Sequence, residues 1–257
     1  MKRLVPPRGR LTDVALIGAA AVSFVLAWKA LVWVSGLPPY ILPAPETVAA
    51  RLAGAWGDGT IWKHAQVTLL EIGLGFAVGA GLALVAGYAL ARSRIVERFL
   101  SPYLVAAQAT PVLALAPLIA LWFGTGIVAK VIVCALIVFF PVAIVTMVGI
   151  RSVDPRLVEM LRSLRATRRQ IVTRLELPAA LPSIFGGLRI GITLAVIGAI
   201  VGEWAGGDRG LGVLVNIARG GAFDTPLLFA TLLTIAGLGL ALYGLVVVVE
   251  RRLVGAR

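Results

Sequence analysis

The chain has little charge and few of the side chains on which most soluble enzymes depend. Of its 257 residues only 14% are charged, one is cysteine and one is histidine, whereas 60% are hydrophobic. One cysteine excludes a disulfide framework and a cysteine-based zinc site. One histidine excludes histidine-rich metal sites and most histidine-based catalytic triads. An apolar excess of this size is more than one soluble core can bury, so the composition predicts an integral membrane protein.

Lysine is rare as well. The sequence has only Lys2, Lys29, Lys63 and Lys130, and none of them follows a glycine. A phosphate-binding loop for ATP needs a Gly-Lys pair beside Ser or Thr. We therefore expect a chain that is not an enzyme and has no catalytic residue, cofactor or metal site. Any ATP chemistry is expected to come from a partner.

The apolar residues gather into runs long enough to cross a bilayer, which takes about 20 residues in a helix. The N-terminal run is too long for a signal peptide and has no small-residue cleavage site after it, so we interpret it as a retained helix. The sequence predicts an all-α fold with six transmembrane helices near 14–34, 66–91, 100–123, 127–149, 182–203 and 227–249.

Basic residues predict the orientation of these spans. Lys and Arg number four in the N-terminal segment, three in 92–98, seven in 150–180 and three at the C-terminus, against four in the opposite loops. Cytoplasmic loops carry this kind of excess, so both termini are expected in the cytoplasm. Tails at 1–13 and 253–257 then flank a transmembrane domain at 14–252. Topology accounts for most of the net charge of +12, and no nucleic-acid partner is expected.

The third predicted span is interrupted by Pro111 and Pro117, with Gln108 and Thr110 beside the first proline. Broken helices persist at membrane depth only where protein or a water-filled cavity satisfies the freed backbone groups. Gln108, Thr110 and Pro111 are therefore the leading candidates for lining a pathway. Phe140, in the fourth span, is a candidate for a hydrophobic gate, with simple packing as the alternative.

Ionisable residues near the outer ends of the spans allow two interpretations each. Glu71 and Glu203 are functional candidates because burying a carboxylate is costly, and Glu203 is assigned to the pathway or a gate. Ordinary interfacial positions are the alternative, with Trp204 in an aromatic belt. Lys130 is expected to extend towards the interface, and the glycine-rich stretch 206–210 is expected to be a flexible connection.

Glycine spacing predicts close helix packing in two spans. The second span contains a Gly75-x-x-x-Gly79 pair, and the sixth contains Gly237, Gly239 and Gly244. Small residues let helices approach closely in lipid, so both faces are expected to pack on other helices.

The long loop at 150–180 contains two helix starts. Asp154-Pro155 combines an N-cap with proline at the first helical position, and Thr167 with Gln170 fits a capping box. Leu157, Val158, Leu161 and Leu164 recur on one face of the first helix. We expect this stripe to pack on the bundle, on lipid headgroups or on another protein. Pro178 and Pro182 are expected to redirect the chain into the fifth span.

The same loop resembles the Glu-Ala-Ala loop of bacterial ATP-binding-cassette (ABC) importer permeases, E-A-A-x3-G-x9-I-x-L-P. Glu159, the spacing and the Leu177-Pro178 pair match, whereas the two alanines are Met160 and Leu161 and the glycine is Arg165. Flanking segments resemble the branch that serves nitrate, sulfonates, taurine and the thiamin pyrimidine precursor or related heterocycles. These segments are LPPYILPAPETV (37–48), ATPVLALAPLIALWFGTG (109–126), LPAALPSIFGGLRIG (177–191) and GEWAGGDRGLGVLV (202–215).

The resemblance implies a type I importer permease fold in the bacterial cytoplasmic (inner) membrane. It implies a homodimer with a second copy of the chain, separate cytoplasmic ATPase subunits, an extracytoplasmic substrate-binding protein and surrounding membrane lipid. The helices at 155–175 would couple to the ATPase, with Glu159 making a polar contact there. The residues assigned to this coupling are Glu159, Leu161, Arg162, Leu164, Arg165, Ala166 and Thr167.

Arg165 leaves three possibilities open. A glycine after a short helix commonly adopts a left-handed conformation, which is strained for other residues. Arg165 accepts that strain, the turn differs, or the arginine supplies a new cation to an acidic ATPase patch.

Two other function classes compete with the importer interpretation. A secondary transporter usually carries intramembrane charges and internal repeats, and the spans hold few such charges. An intramembrane hydrolase needs a nucleophile with a base or paired ligands at depth, which the sequence does not offer. Within the importer branch, AVIGAIVGEW (195–204) slightly favours heterocycles over sulfonates, taurine or nitrate.

Overall fold

A computed structural model describes residues 10–221 and 223–255, and within them the chain is helical and forms no strand. The helices are α1 (Arg10–Ser35), α2 (Pro45–Gly57), α3 (Thr60–Arg92), α4 (Arg94–Ala109), α5 (Val112–Phe123), α6 (Ile127–Arg151), α7 (Pro155–Ser163), α8 (Arg168–Ile171), α9 (Leu177–Ala205), α10 (Leu211–Asn216) and α11 (Thr225–Val254). Two π-helical turns, Val172–Glu176 and Ile217–Gly221, follow α8 and α10.

Five helical segments in the described ranges are long and apolar enough to cross a membrane. They are Gly18–Ser35, Thr60–Arg92, Ile127–Arg151, Arg168–Ala205 and Thr225–Val254. The predicted third span is instead two shorter helices, α4 and α5, separated at Thr110 and Pro111. The predicted interruption at Pro111 is thus confirmed, whereas Pro117 lies inside α5 and does not break it.

The core of the molecule is the packing of α6 between α3 and α9. Glycines of both neighbours allow this approach. A Cβ atom at Gly79 would lie 2.6 Å from the carbonyl oxygen of Ala135, and one at Gly198 would lie 2.7 Å from Cα of Cys134. A Cβ atom at Gly75 would also collide with Cys134. The sequence prediction that the Gly75-x-x-x-Gly79 face packs on another helix is confirmed.

The outer helices α1 and α11 are packed less closely. In α11, a Cβ atom at Gly239 would approach Val196 to 3.7 Å, but atoms at Gly237 and Gly244 would meet nothing within 4 Å. The predicted close packing of the α11 glycines is therefore limited to Gly239 within the described residues. Helix α1 meets α11 through the stacked rings of Trp28 and Phe229, whose centroids lie 5.6 Å apart.

The entry into α9 differs from the sequence prediction. Pro178 and Pro182 do not redirect the chain, because α8, the π-helical turn at Val172–Glu176 and α9 form one continuous helical segment. In the wide turn the amide of Leu177 donates to the carbonyl of Val172, five residues earlier. Proline has no N–H to donate, and the wider turn just before Pro178 lets the helix pass this position.

Candidate functional site

Both helix starts predicted in the segment 154–171 are observed. Helix α7 is a short capped helix as predicted, whereas α8 is the capped first turn of the helical segment that continues into α9. The Asp154 carboxylate accepts the amide of Arg156 at 2.9 Å, with Pro155 at the first helical position of α7. Thr167 and Gln170 form the predicted capping box at the start of α8. The Thr167 amide donates to Oε1 of Gln170 at 2.7 Å, and the Gln170 amide donates to Oγ1 of Thr167 at 3.4 Å. These caps satisfy amides that would otherwise lack partners at the helix ends. The caps therefore stabilise the start of each helix.

The apolar side chains of α7 and of Leu164, which follows it, are only partly covered by the rest of the chain. Leu157 is 42% exposed, Met160 53% and Leu164 71%. Val158 and Leu161 are half-buried. A short helix that leaves this much apolar surface open gains stability when another surface covers it.

Arg165 adopts the left-handed conformation, with φ of +58°. The amide of Ala166 donates to the carbonyl of Leu161 at 3.0 Å, and the Arg165 amide donates to the carbonyl of Arg162 at 2.9 Å. This pair of bonds is a Schellman motif, which ends a helix on a residue that is usually glycine. Of the possibilities that the sequence left open, a different turn is excluded, and Arg165 accepts the strain.

Glu159 and Arg162 of α7 line a cavity of about 260 Å³ together with Arg92, Arg151 and Glu176. Both side chains are exposed, and Glu159 forms no ion pair with any side chain in the described ranges. The carboxylate therefore remains available at a strongly basic surface. Thr167 is exposed, and Ala166 is half-buried.

The predicted pathway residues lie in three places. Thr110 and Pro111 form the exposed break between α4 and α5, where Oγ1 of Thr110 donates to the carbonyl of Ala106 at 2.9 Å. Gln108 lies in the last turn of α4, and its side chain is outside the described part of the structure. Phe140 is half-buried in α6, edge-to-face with Phe139 at 5.2 Å.

Glu203, the remaining pathway candidate, is buried near the end of α9. Its Oε1 accepts the Thr68 hydroxyl at 2.5 Å, and its Oε2 accepts the amide of Gly212. Thr68 in turn accepts the amide of Leu211 at 2.8 Å. Glu203 thus ties α9 to α3 and to the connection that follows α9.

Lys130 belongs to the same buried region, contrary to the sequence expectation that it reaches the interface. It is 4% exposed, and its Nζ donates to Oε1 of Glu71 at 2.8 Å and to the carbonyl of Arg209 at 3.3 Å. Oε2 of Glu71 has no hydrogen-bond partner in the described ranges. The expectation fails because α3 and α9 pack closely around the start of α6 and bury Lys130 between them. The backbone of Gly202 in α9 packs directly on Lys130.

The connection 206–210 is anchored at its end by Gly210, and its flexibility stays a prediction. Gly210 is buried with φ of +135°, and Nδ1 of His64 lies 2.8 Å from its carbonyl oxygen and 3.1 Å from its amide nitrogen. A Cβ atom at this position would overlap the Glu203 carboxylate. A left-handed glycine in contact with a carboxylate could have been suspected from the Gly-rich sequence, but its partners come from distant helices.

The region offers no obvious metal site. Within 10–221 and 223–255, no three side chains of His, Cys, Asp or Glu gather into a group that could hold a metal ion. The chemistry available to the buried cluster is hydrogen bonding and ion pairing within the chain.

Five apolar spans around a small-residue core, with a capped basic segment outside them, define a multi-pass membrane protein. Residues 79–255 match the family described as "Binding-protein-dependent transport system inner membrane component". The chain belongs to this family of ABC transporter permeases and is a multi-pass protein of the bacterial inner membrane.

Relatives within the family transport different compounds. The chain is 49% identical to the "Riboflavin transport system permease protein RibX" of Chloroflexus aurantiacus, covering 88% of this chain and 84% of that protein. It is 39% identical to the "Formylaminopyrimidine transport permease protein ThiX" of Halalkalibacterium halodurans (79% and 80% covered). It is 33% identical to the "Taurine transport system permease protein TauC" of Escherichia coli (79% and 75% covered).

Solved structures support the fold. An amino acid ABC transporter chain matches with a TM-score of 0.60 at 23% identity, covering 78% of this chain and 97% of that chain. A chain of the MetNI methionine ABC transporter in an inward-facing conformation matches with a TM-score of 0.56 at 21% identity, covering 76% and 93%. The expected type I importer permease architecture is consistent with these neighbours.

Proposed function

We propose that the chain forms the substrate pathway of an ABC importer for a small heterocyclic compound. The observation that carries this proposal is the 49% identity over 88% of the chain to a permease named for riboflavin. The relative named for formylaminopyrimidine supports the same chemical class at 39% identity, ahead of the taurine relative at 33%. The riboflavin and pyrimidine compounds both have flat, nitrogen-containing rings, unlike taurine or nitrate.

The segment 155–171 is proposed as the docking element for a separate cytoplasmic ATPase. Its exposed residues Leu157, Met160 and Leu164 supply apolar area. Glu159, Arg162 and Arg165 supply charges beside them. Apolar anchors surrounded by charged groups are typical of protein interfaces. In this proposal ATP hydrolysis belongs to the partner, and Arg165 adds a cation for an acidic patch on it.

The proposed topology has six crossings, with α4 and α5 together forming the crossing that contains the break. Both termini and the segment 152–167 then lie in the cytoplasm, in line with the distribution of basic residues. The complete importer contains a second copy of the chain, an extracytoplasmic binding protein at the opposite end and lipid around the spans. Thr110 and Pro111 are proposed to line the pathway, together with Gln108 and Phe140. Glu203, whose carboxylate is buried in hydrogen bonds to α3 and α10, is proposed as a gate residue.

The test is purification of the tagged chain from its native membranes in mild detergent, followed by uptake measurements. We expect an ATPase subunit to co-purify at about equal stoichiometry with the chain. Reconstituted vesicles that also contain the co-purified binding protein should accumulate riboflavin or formylaminopyrimidine when ATP is supplied. Taurine serves as the competitor that should not reduce this uptake. Recovery of the chain without an ATPase, when a control importer keeps its own, would favour a secondary transporter and contradict the proposal.

Glu159→Ala tests the docking element within that complex. We expect the variant to fold but to lose most ATPase association or stimulated hydrolysis, because a charged contact in an interface is removed. Glu250→Ala is the matched control, since Glu250 lies in α11, outside the segment 155–171, where it pairs with Arg189. Unchanged uptake and stimulated hydrolysis in Glu159→Ala would show that Glu159 does not dock the ATPase.

A further inference from the structure

The segment 152–176 is attached at both of its ends to one corner of the bundle. This corner, residues 90–97, is the junction where α3 ends at Arg92 and α4 begins at Arg94. The last residue of α6, Arg151, precedes the segment, and Glu176 closes it at the end of the π-helical turn. Both residues form ion pairs with the α3–α4 corner.

Arg151 makes the attachment on the α6 side. Its two terminal nitrogens donate to the two carboxylate oxygens of Glu97 at 2.6 and 2.7 Å, in a bidentate pair. The same guanidinium donates to the carbonyls of Leu90 at 2.8 Å and Ala91 at 3.3 Å. A bidentate arginine–carboxylate pair fixes direction as well as distance. Arg151 therefore holds the end of α3 and the start of α4 together.

Arg92 makes the attachment on the α9 side. It donates to the buried Glu176 carboxylate at 2.7 Å and to the Tyr88 hydroxyl at 3.1 Å, and its guanidinium lies 5.5 Å from the centre of the Tyr88 ring. Glu176 belongs to the π-helical turn, and such turns are places where a helix can change its path. Displacement of the segment 155–171 would act on α3 through this pair.

Helix α4 has little other attachment to the bundle. Its side chains Ile95, Phe99 and Tyr103 are 81%, 68% and 64% exposed, and none of its side chains within the described part of the structure is fully buried. Among the α4 side chains that the structure describes, Glu97 forms the polar link to α6, through its pair with Arg151. Helix α4 ends at Thr110 and Pro111, the break proposed to line the pathway.

We propose that Arg151 and Glu97 are positioning residues that transmit displacement of the segment 155–171 to α4 and so to the break at Thr110–Pro111. This relay rests on the proposed function, because an ATPase must act on the segment. The bidentate geometry fixes the orientation of α4 relative to the end of α6, so a movement of α6 also moves α4. Both side chains are partly exposed, so the pair can reform as the helices move. The effect is on coupling rather than on assembly.

The test measures hydrogen exchange in the intact complex in lipid nanodiscs, with and without ATP plus vanadate. In the wild-type chain we expect nucleotide to alter amide exchange in both 155–171 and 94–109. In Glu97→Gln, which keeps the side-chain shape, the response of 155–171 should persist while that of 94–109 is lost. Transport per ATP hydrolysed should fall at least about fivefold, in the range of ordinary coupling free energies.

Two further variants sharpen the interpretation. Arg151→Lys keeps the charge but loses the bidentate geometry, so the response of 94–109 should be reduced. Glu250→Gln removes a carboxylate from the Arg189–Glu250 pair, which links α9 to α11 and does not touch α4. It should leave both responses at wild-type values.

The outcomes separate the relay from the proposed function. A wild-type response of 94–109 in Glu97→Gln, in a complex that retains its ATPase, would overturn the relay alone. If Glu97→Gln does not assemble, a wild-type response in Arg151→Lys overturns the relay and a reduced response supports it. Absence of an ATPase from the wild-type complex would contradict the proposed function and, with it, the relay.

Discussion

At the scale of single residues, the most consequential group is the ion pair between Lys130 and Glu71. Both side chains are almost completely buried, with exposed fractions of 5% and 1%, at the place where α3, α6 and α9 meet the connection to α10. A buried pair offers little net stability over apolar side chains of the same size, but removal of one partner leaves an uncompensated charge. The pair therefore makes the native packing hard to vary at this point.

Lys130→Met is expected to destabilise the folded chain by about 3–5 kcal/mol, because the Glu71 carboxylate loses the ammonium group with which it pairs. The measurement is the melting temperature of the purified chain in detergent. Lys29→Met is the control: Lys29 pairs with Glu46 at an exposed site, and such pairs contribute about 0–1 kcal/mol. Equal melting temperatures for Lys130→Met and the wild-type chain would show that the buried pair is not needed for stability.

At the scale of helices, α6 is held by direct contact of its backbone with α3 and α9. Gly79 faces α6, whereas Gly81, two residues further along α3, has nothing within 4 Å of the position that a Cβ atom would occupy. Without a hydrophobic driving force between helices in lipid, close packing of small residues becomes a main source of their association. The two glycines therefore have different structural roles.

Gly79→Leu is expected to lower the melting temperature of the chain, because the atoms that it would meet are backbone atoms of Ala135, which cannot rotate away. Overpacking of this kind costs about 1–3 kcal/mol or more. Gly81→Leu, in the open position, should leave the melting temperature unchanged or raise it slightly, since leucine favours helix over glycine. A similar loss in both variants would indicate that helix propensity, and not packing on α6, determines the effect.

At the scale of the whole molecule, the polar groups are concentrated at the two ends of the bundle. One end contains Arg92, Arg151 and the segment 152–167, and the opposite end contains α2 and the connection 206–210. The distribution of basic residues favours a cytoplasmic position for the first end, as in the proposed topology. This orientation determines which partners can reach which surface.

Thiol labelling tests the orientation directly. Cys134, the only native cysteine, is buried, so cysteines introduced at exposed positions can be labelled selectively. A membrane-impermeant maleimide should label Ala53→Cys in intact spheroplasts and Ser163→Cys only after detergent permeabilisation. The reverse pattern would invert the proposed topology, and the docking of a cytoplasmic ATPase on α7 would have to be abandoned.

Features that depend on neighbouring residues were predictable from the sequence. The caps at Asp154 and Thr167 and the interruption at Pro111 are all observed. Each depends on a local side-chain or backbone property, namely a capping oxygen or the absence of a proline N–H. The family could be identified because its loop pattern is equally local.

Features that depend on distant segments were not predictable. Lys130 meets Glu71, and His64 meets Gly210, only because separate helices pack together. The ion pairs of Arg151 and Arg92 likewise join residues more than fifty positions apart in the chain. The continuation of the helix past Pro178 needed a π-helical turn, for which the sequence offers no simple signal.

The left-handed conformation of Arg165 has a consequence for natural variation. Every arginine codon differs from a glycine codon by a single base, so mutation readily offers a residue that relieves the backbone strain at this turn. Comparing the residue at position 165 among strains of the same species therefore tests whether arginine itself is selected. Retention of arginine among them would indicate selection for the cation, whereas frequent replacement by glycine would indicate that only the shape of the turn is under selection.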